Sequence, residues 1–302
     1  MTFNNILVAL DGSKNGQIAA DYGFWIASKL NASLAAQHVV DPRLIELFVE
    51  PEFAEELGII ASIETSEKVF CALRKIGKLI LDRFTEEAHR RGFNPVCKLS
   101  EGRIVEAILT YSQNFDLLIV GHRGHNEQKT ATNIVLGSVA ERLVVSSKGP
   151  VLIAVQPLDQ IEKVIVAYDG SDAAIGALLM GENLAKYIGA QLKAVVVTRN
   201  YEDEGKAKLL VEEGESLLRE YWSEDVFSVK SGSASGHILD AAGTKNSLLV
   251  LGAYGFRDPN ETVLGGTTVR VIRETKRSVL IYKPKVEMAK TANDLRAEIK
   301  SY

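Results

Sequence analysis

Ile6-Leu7-Val8-Ala9-Leu10-Asp11-Gly12-Ser13 is an apolar run ending in an acidic turn, and Val164-Ile165-Val166-Ala167-Tyr168-Asp169-Gly170-Ser171 repeats it midway through the chain. Such a run followed by Asp-Gly-Ser reads as a buried strand, a tight turn and a helix N-cap. Each copy has a distant partner. Gly121-His122-Arg123-Gly124, with Gly137-Ser138 downstream, follows the first, and Gly252-Ala253-Tyr254-Gly255, with Gly265-Gly266, follows the second. The 302 residues therefore divide into two homologous units, 1–157 and 158–302.

After Ser13 the apolar positions Ile18, Tyr22, Trp25 and Ile26 fall on one helical face, and after Ser171 so do Ala177, Met180, Leu184 and Ile188. Both helices stop at a turn residue, Asn31 or Gly189. The next strands, Leu34 to Val40 and Leu192 to Thr198, are apolar on both faces, as a parallel sheet covered by helices requires. Strand and helix then alternate to the end of each unit. The fold class is α/β, with two tandem doubly wound parallel-sheet domains.

The units differ in their middles. The first passes through an acidic, partly apolar segment (Ile45, Phe48, Phe53, Leu57, Ile59) into a charged helix, Glu67 to Arg91, expected to turn Val69, Leu73, Ile76, Leu79 and Ile80 inward. A further helix is expected to enter through Gly102 in one unit and Gly236 in the other. The last strands, Val151 to Val155 and Ser278 to Tyr282, are apolar enough to pair antiparallel across a pseudo-twofold, which would hide an aggregation-prone edge. A polar tail, Lys285 to Tyr302, follows.

Composition excludes several classes. A net charge of -4 with no basic cluster argues against a nucleic-acid partner. No apolar run approaches the roughly 20 residues of a membrane span, and the start lacks a signal-like core. No membrane partner is expected, and the expected location is cytoplasmic. Cys71 and Cys97 read as small core residues rather than a bridge.

The chemistry lies at the strand ends. A carboxylate at Asp11 or Asp169 can accept hydrogen bonds from ribose hydroxyls or an adenine amino group. It can equally just shape the turn. Glycines after a buried strand let the backbone approach an anion, and the following helix adds its dipole. His122, Arg123 and His125 read first as solvated loop residues, with an anion clamp as the alternative and no metal expected.

With the aspartate and the glycine loop present twice, the chain resembles the universal stress protein family over essentially its whole length. That resemblance implies a Rossmann-like, adenine-nucleotide-hydrolase-like fold in each half and a covalent version of the family's dimer, with a further homodimer left open. It implies that Asp11 meets adenine and ribose, that Val39 contacts adenine, and that Gly121, Gly124, Gly137 and Ser138 surround phosphates. In the second unit the same positions are Asp169, Val197, Gly252, Gly255, Gly265 and Gly266. The cofactor implied is ATP, with Mg²⁺ as its companion ion.

Both copies depart from the family's spacing of Gly-x-x-Gly, nine residues, then Gly-Ser/Thr. Twelve residues, His125 to Leu136, separate Gly124 from Gly137, whereas Gly266 stands where a hydroxyl residue is expected. Thr267, next along, is expected to face another direction. The acidic Asp258 and Glu261 lie in the second loop, while Arg123 and Lys129 offset Glu127 in the first, which gives the first half the better phosphate chemistry.

No catalytic set emerges: the chain has no Gly-x-x-x-x-Gly-Lys-Ser/Thr loop, nucleophile elbow or His-Glu-x-x-His. The expected function is a non-enzymatic cytoplasmic stress-response regulator that binds ATP or a related adenine nucleotide in at least one half, with unidentified protein partners. The alternative is a nucleotide-free interaction module on the same fold.

Overall fold

The computed structural model describes residues 3–43, 59–123, 137–198, 204–218, 226–243, 246–254 and 264–283. Gly124, Gly255, His125, the 45–57 segment, the charged positions 127, 129, 258 and 261, and the tail beyond residue 284 lie outside the described residues.

The first unit runs β1 (Asn5–Ala9), α1 (Lys14–Leu30), β2 (Ser33–Val40), α2 (Ile59–Arg90), β3 (Val96–Glu101), α3 (Ile104–Ser112), β4 (Leu117–Gly121), α4 (Ser138–Ser146) and β5 (Val151–Ala154). The second runs β6 (Lys163–Ala167), α5 (Asp172–Ile188), β7 (Gln191–Thr198), α6 (Glu204–Leu217), β8 (Phe227–Ser231), α7 (Ala234–Ala242), β9 (Ser247–Gly252), α8 (Gly266–Glu274) and β10 (Val279–Tyr282). Ser13 and Ser171 cap α1 and α5, their hydroxyl oxygens accepting from the Gly16 and Ala174 amides. Asn31 and Gly189 close the same helices in the left-handed conformation.

All strands join one ten-stranded sheet in the order β3-β2-β1-β4-β5-β10-β9-β6-β7-β8. Neighbours inside each unit are parallel. Among the described residues only the seam is antiparallel, with Val279 opposite Ile153, Leu280 opposite Leu152 and Ile281 opposite Val151. The two sheets expected from the sequence are thus continuous. Ile6, Leu7 and Val8 are all fully buried, because helices cover both faces.

Polar contacts tie the units together beside the seam. The Lys283 ammonium, 2% exposed, donates to the carbonyls of Val145 (2.6 Å) and Ser147 (3.0 Å) at the carboxyl end of α4. There it satisfies carbonyls that the helix leaves open and faces the negative end of the helix dipole. Desolvation pushes this ammonium down to about 8.

Local expectations fail at four places. Ile76 and Leu79 are 52% and 59% exposed, and the inward row of α2 is Leu73, Gly77, Ile80, Leu81, Phe84 and Ala88, with Ile80 inward as expected. The helix turns this face inward because Gly77 lets it press on β2 and β3, where a Cβ would lie 2.6 Å from His38 Cδ2 and 2.8 Å from Leu99 Cδ1. Cys71 is exposed rather than in the core, whereas Cys97 is half-buried and packs against the core as expected, beside Thr85. The counterpart of Gly102 is Gly232, not Gly236. The two sit at φ +123° and +122°, whereas Gly236 lies inside the first turn of α7 with its amide bonded to the Ser233 hydroxyl.

Candidate functional site: two strand-end crevices

In each unit β1 or β6 is flanked by a strand reached through one crossover on either side, so the chain direction of winding reverses there and a crevice opens at the strands' carboxyl ends. The first crevice encloses about 320 Å³ and the second about 410 Å³, sizes suited to a small ligand.

Asp11, Val39, Gly121, Gly137 and Ser138 all line the first crevice. Asp169, Val197, Gly252, Gly265 and Gly266 line the second. Of the positions implied by the resemblance, those that are described converge within their own half.

One oxygen of each aspartate is spent on its own turn. Asp11 Oδ1 accepts from the Ser13 amide at 2.9 Å, and Asp169 Oδ1 accepts from the Ser171 amide at 3.0 Å and its hydroxyl at 2.6 Å. This turn locks each carboxylate in place. Both side chains stay exposed at the mouth, and the second oxygen of each has no partner among the described residues. Gly12 and Gly170, at φ +78° and +77°, allow the turn to close.

The glycines divide by purpose. Gly121 and Gly252 end their strands under α1 and α5, where a Cβ would lie 2.8 Å from the backbone carbonyl carbons of Asn15 and Ala173. Packing of a helix on the strand, rather than approach of a ligand, accounts for them. Gly137 and Gly265 are different. Both hold extended dihedrals (φ -63° and -58°) at the N-caps of α4 and α8, and neither helix receives a side-chain cap. A Cβ on Gly266 would meet nothing within 4 Å. These two helix starts border the crevices with positive dipole ends and no side-chain cap.

The linings differ chemically. Near the start of α4 the first crevice has Arg123 and Ser138, and Val39, Ile104, Ile108 and Val120 also line it. The Arg123 carbonyl accepts from Asn15 Nδ2 at 3.1 Å, which fixes the start of the loop on α1. In the second crevice Tyr254 and Gly266 take those places, and the Tyr254 ring lies 5.3 Å from the Lys283 ammonium. Thr267 does line this crevice, against the expectation that it would turn away, and Thr268 spends its hydroxyl on the Gly252 carbonyl at 2.9 Å. His237 is structural, its Nε2 set 2.9 Å from the Ser231 carbonyl.

Two residues carry features the sequence reading did not anticipate. Gln37, 1% exposed on β2, lines the first crevice at a point where the second has Val195. Its signal was present: an amide in the middle of an apolar strand buried on both faces is costly unless paired. His122 is not solvated but 4% exposed, and its Nε2 has no hydrogen-bond partner.

Burial pushes the His122 imidazole down to about 4, and the neighbouring Arg123 charge adds to the effect. An unfolded histidine titrates near 6.5, so between pH 6.5 and 4 the unfolded chain binds a proton that the folded protein refuses. Stability is therefore whole above pH 6.5 and falls as acid is added, by about 1.4 kcal/mol per unit at most. His122→Ala, which installs the residue found at Ala253, is expected to flatten this fall. Urea denaturation at pH 6.5 and 4.5 checks it: the gap between wild type and variant should narrow in acid, and parallel curves would rule the histidine out as the cause.

Among the described residues no helix is long and apolar enough to cross a membrane, and no group of three acidic, His or Cys side chains is placed to hold a metal ion.

Comparison with known proteins places this geometry in context. A family model described as the universal stress protein family matches residues 2–155 and again 160–283. Universal stress protein Slr1230 of Synechocystis is 26% identical over 298 residues, covering 92% of this chain and 99% of that protein. Universal stress protein YxiE of Bacillus subtilis is 28% identical over 160 residues, covering 50% of this chain and 98% of its own length. Among solved structures, a universal stress protein from Archaeoglobus fulgidus superposes with a TM-score of 0.69 at 21% identity, covering 93% of this chain and 98% of that one.

Proposed function

Because the chain belongs to the universal stress protein family, a stress-response family, we propose that it is a cytoplasmic regulator whose first crevice binds ATP or a related adenine nucleotide. The observation that carries this reading is the first crevice's layout. An apolar slot, a fixed carboxylate and an uncapped helix start with a cation beside it all line the one crevice.

In that reading the base fills the slot formed by Val39, Ile104, Ile108 and Val120, and Asp11 accepts from a ribose hydroxyl. Amides at the start of α4, the Ser138 hydroxyl and the Arg123 guanidinium meet the phosphates. Mg²⁺ arrives with the phosphates, since no acidic cluster holds it among the described residues. In this reading the nucleotide acts as a signal rather than a substrate. Occupancy is then read by protein partners.

The second crevice favours the other reading, an interaction module without nucleotide, because Tyr254 and Gly266 replace the cation and the hydroxyl. Isothermal titration with ATP and Mg²⁺ tests both. One site per chain is expected, with Asp11→Ala weakening it about 10- to 100-fold through loss of a charge-assisted hydrogen bond and Asp169→Ala leaving it intact. Absence of heat with the wild type would make the whole chain an interaction module.

A further inference from the structure

The two helices that flank the seam, α4 and α8, carry a charge pair at one of two equivalent places. Arg273, in the last turn of α8, donates to Glu141 Oε1, in the first turn of α4, at 2.6 Å. Counted from the N-cap glycines Gly137 and Gly265, the pseudo-twofold puts Val269 and Val145 at the equivalent positions. Both valines are half-buried against the apolar core of that sheet face. An arginine of the second unit therefore reaches a carboxylate of the first, while the mirrored place is apolar.

The pair stands beside the first crevice. Ser138, Val139 and Ala140, the three residues before Glu141, all line it. Glu141 is separated from Ser138 by about 4.5 Å of helical rise, and helical side chains lean toward the N-terminus. Its charge is thus carried toward the amides at the start of α4, which receive no side-chain cap. A carboxylate in a first turn is drawn to that positive end and competes there with any other anion. Arg273 gives this one a different partner. Fold stability does not explain the arrangement, since the two side chains are 53% and 37% exposed and ion pairs so wet contribute little to folding. In the second unit there is no carboxylate to hold back, because the first turn of α8 has no acidic residue.

Building on the adenine-nucleotide reading above, we propose that Arg273 of the second unit is a positioning residue for the phosphates of the first crevice. It acts through Glu141: by binding that carboxylate it cancels a negative charge beside the amides that take the phosphates. Without Arg273, the Glu141 charge falls on the triphosphate. The nucleotide site is then completed across the seam, and the first unit draws part of its phosphate affinity from the second.

Titration of ATP and of adenosine into the full chain at low salt separates effects on the phosphates from effects on the nucleoside. Arg273→Ala is expected to weaken ATP about 3- to 10-fold, the effect of one uncovered charge near a triphosphate in a wet site, and to leave adenosine unchanged. Adding Glu141→Gln to Arg273→Ala should return ATP to within about twofold of wild type, because the carboxylate does the harm. Arg273→Lys, which keeps the charge, should also stay close to wild type. Arg90→Ala breaks an exposed pair with Glu87 on α2 and makes the same change in net charge, yet should leave ATP unaffected.

An Arg273→Ala protein that binds ATP as wild type does overturns the proposal. A double variant as weak as the single one overturns it too, since Arg273 would then act without Glu141. An equal loss for Arg90→Ala, or for adenosine, would reduce the effect to overall charge or to damage to the fold. Should adenosine bind too weakly to measure, the double variant and Arg90→Ala decide. A wild type that binds neither ligand removes the nucleotide reading itself, and the role of Arg273 with it.

Discussion

Tyr282→Ala is expected to lower the unfolding free energy by about 3 to 5 kcal/mol, the range for emptying a large aromatic site in a core. The ring is 5% exposed and lies across Gly176 of α5, where a Cβ would come within 2.0 Å of Tyr282 Cε1. Across the pseudo-twofold the same two positions are Ile18, the fifth residue after its capping serine as Gly176 is after Ser171, and Ala154, which pairs with Gly121 as Tyr282 pairs with Gly252. One unit fills the space from the helix and the other from the strand. Gly176→Ile alone should also be severely destabilising, because its side chain has nowhere to go. Together, Gly176→Ile and Tyr282→Ala should recover most of the loss, leaving a deficit of about 1.5 kcal/mol or less, since the pair then copies an arrangement already stable in the first unit. Denaturant titration of the four proteins measures the coupling. Simple additivity would show that the two units do not solve this packing problem by exchange of volume.

Gly121→Val is expected to cost about 3 kcal/mol or more in protein free of any nucleotide. The new Cβ would stand 2.8 Å from the carbonyl carbon and oxygen of Asn15 and 3.0 Å from its Cβ, and backbone at the start of α1 cannot retreat as a side chain would. Gly266→Ala is the contrast. Its Cβ meets nothing within 4 Å, so the apo protein should melt within a degree or two of wild type. Equal melting temperatures for Gly121→Val and wild type would return that glycine to the role of ligand contact.

This pair also shows where sequence reading reaches its limit. The doubled strand-turn-helix pattern, Ser13 and Ser171 as caps, and Asn31 and Gly189 as stops were legible because each depends on a few neighbouring residues. The seam was legible because Val151-Leu152-Ile153 and Val279-Leu280-Ile281 are apolar on both faces and could not be left at an edge. The reason for Gly121 was not legible, because it depends on how closely α1 crosses β4. For the same cause the face of α2 was misjudged: apolar Ile76 and Leu79 fit a helical stripe, but contact at Gly77 sets the rotation. Gln37 was overlooked although it stands out in its strand, because a single polar residue gains meaning only once Ser100 and Ala107 are seen to hold it. The convergence of Asp11 with Gly137 and Ser138 followed from topology, since loops at strand ends on either side of a reversal must meet.

The lone reversal of direction between β5 and β10 has a consequence for how the molecule meets its surroundings. Strands of one unit finish where those of the other begin, so the two crevices open at opposite edges of the sheet. A single rigid body docked over one mouth leaves the other unobstructed. Were the proposed nucleotide to fill only the first crevice, the chain would display one loaded and one empty end at the same time.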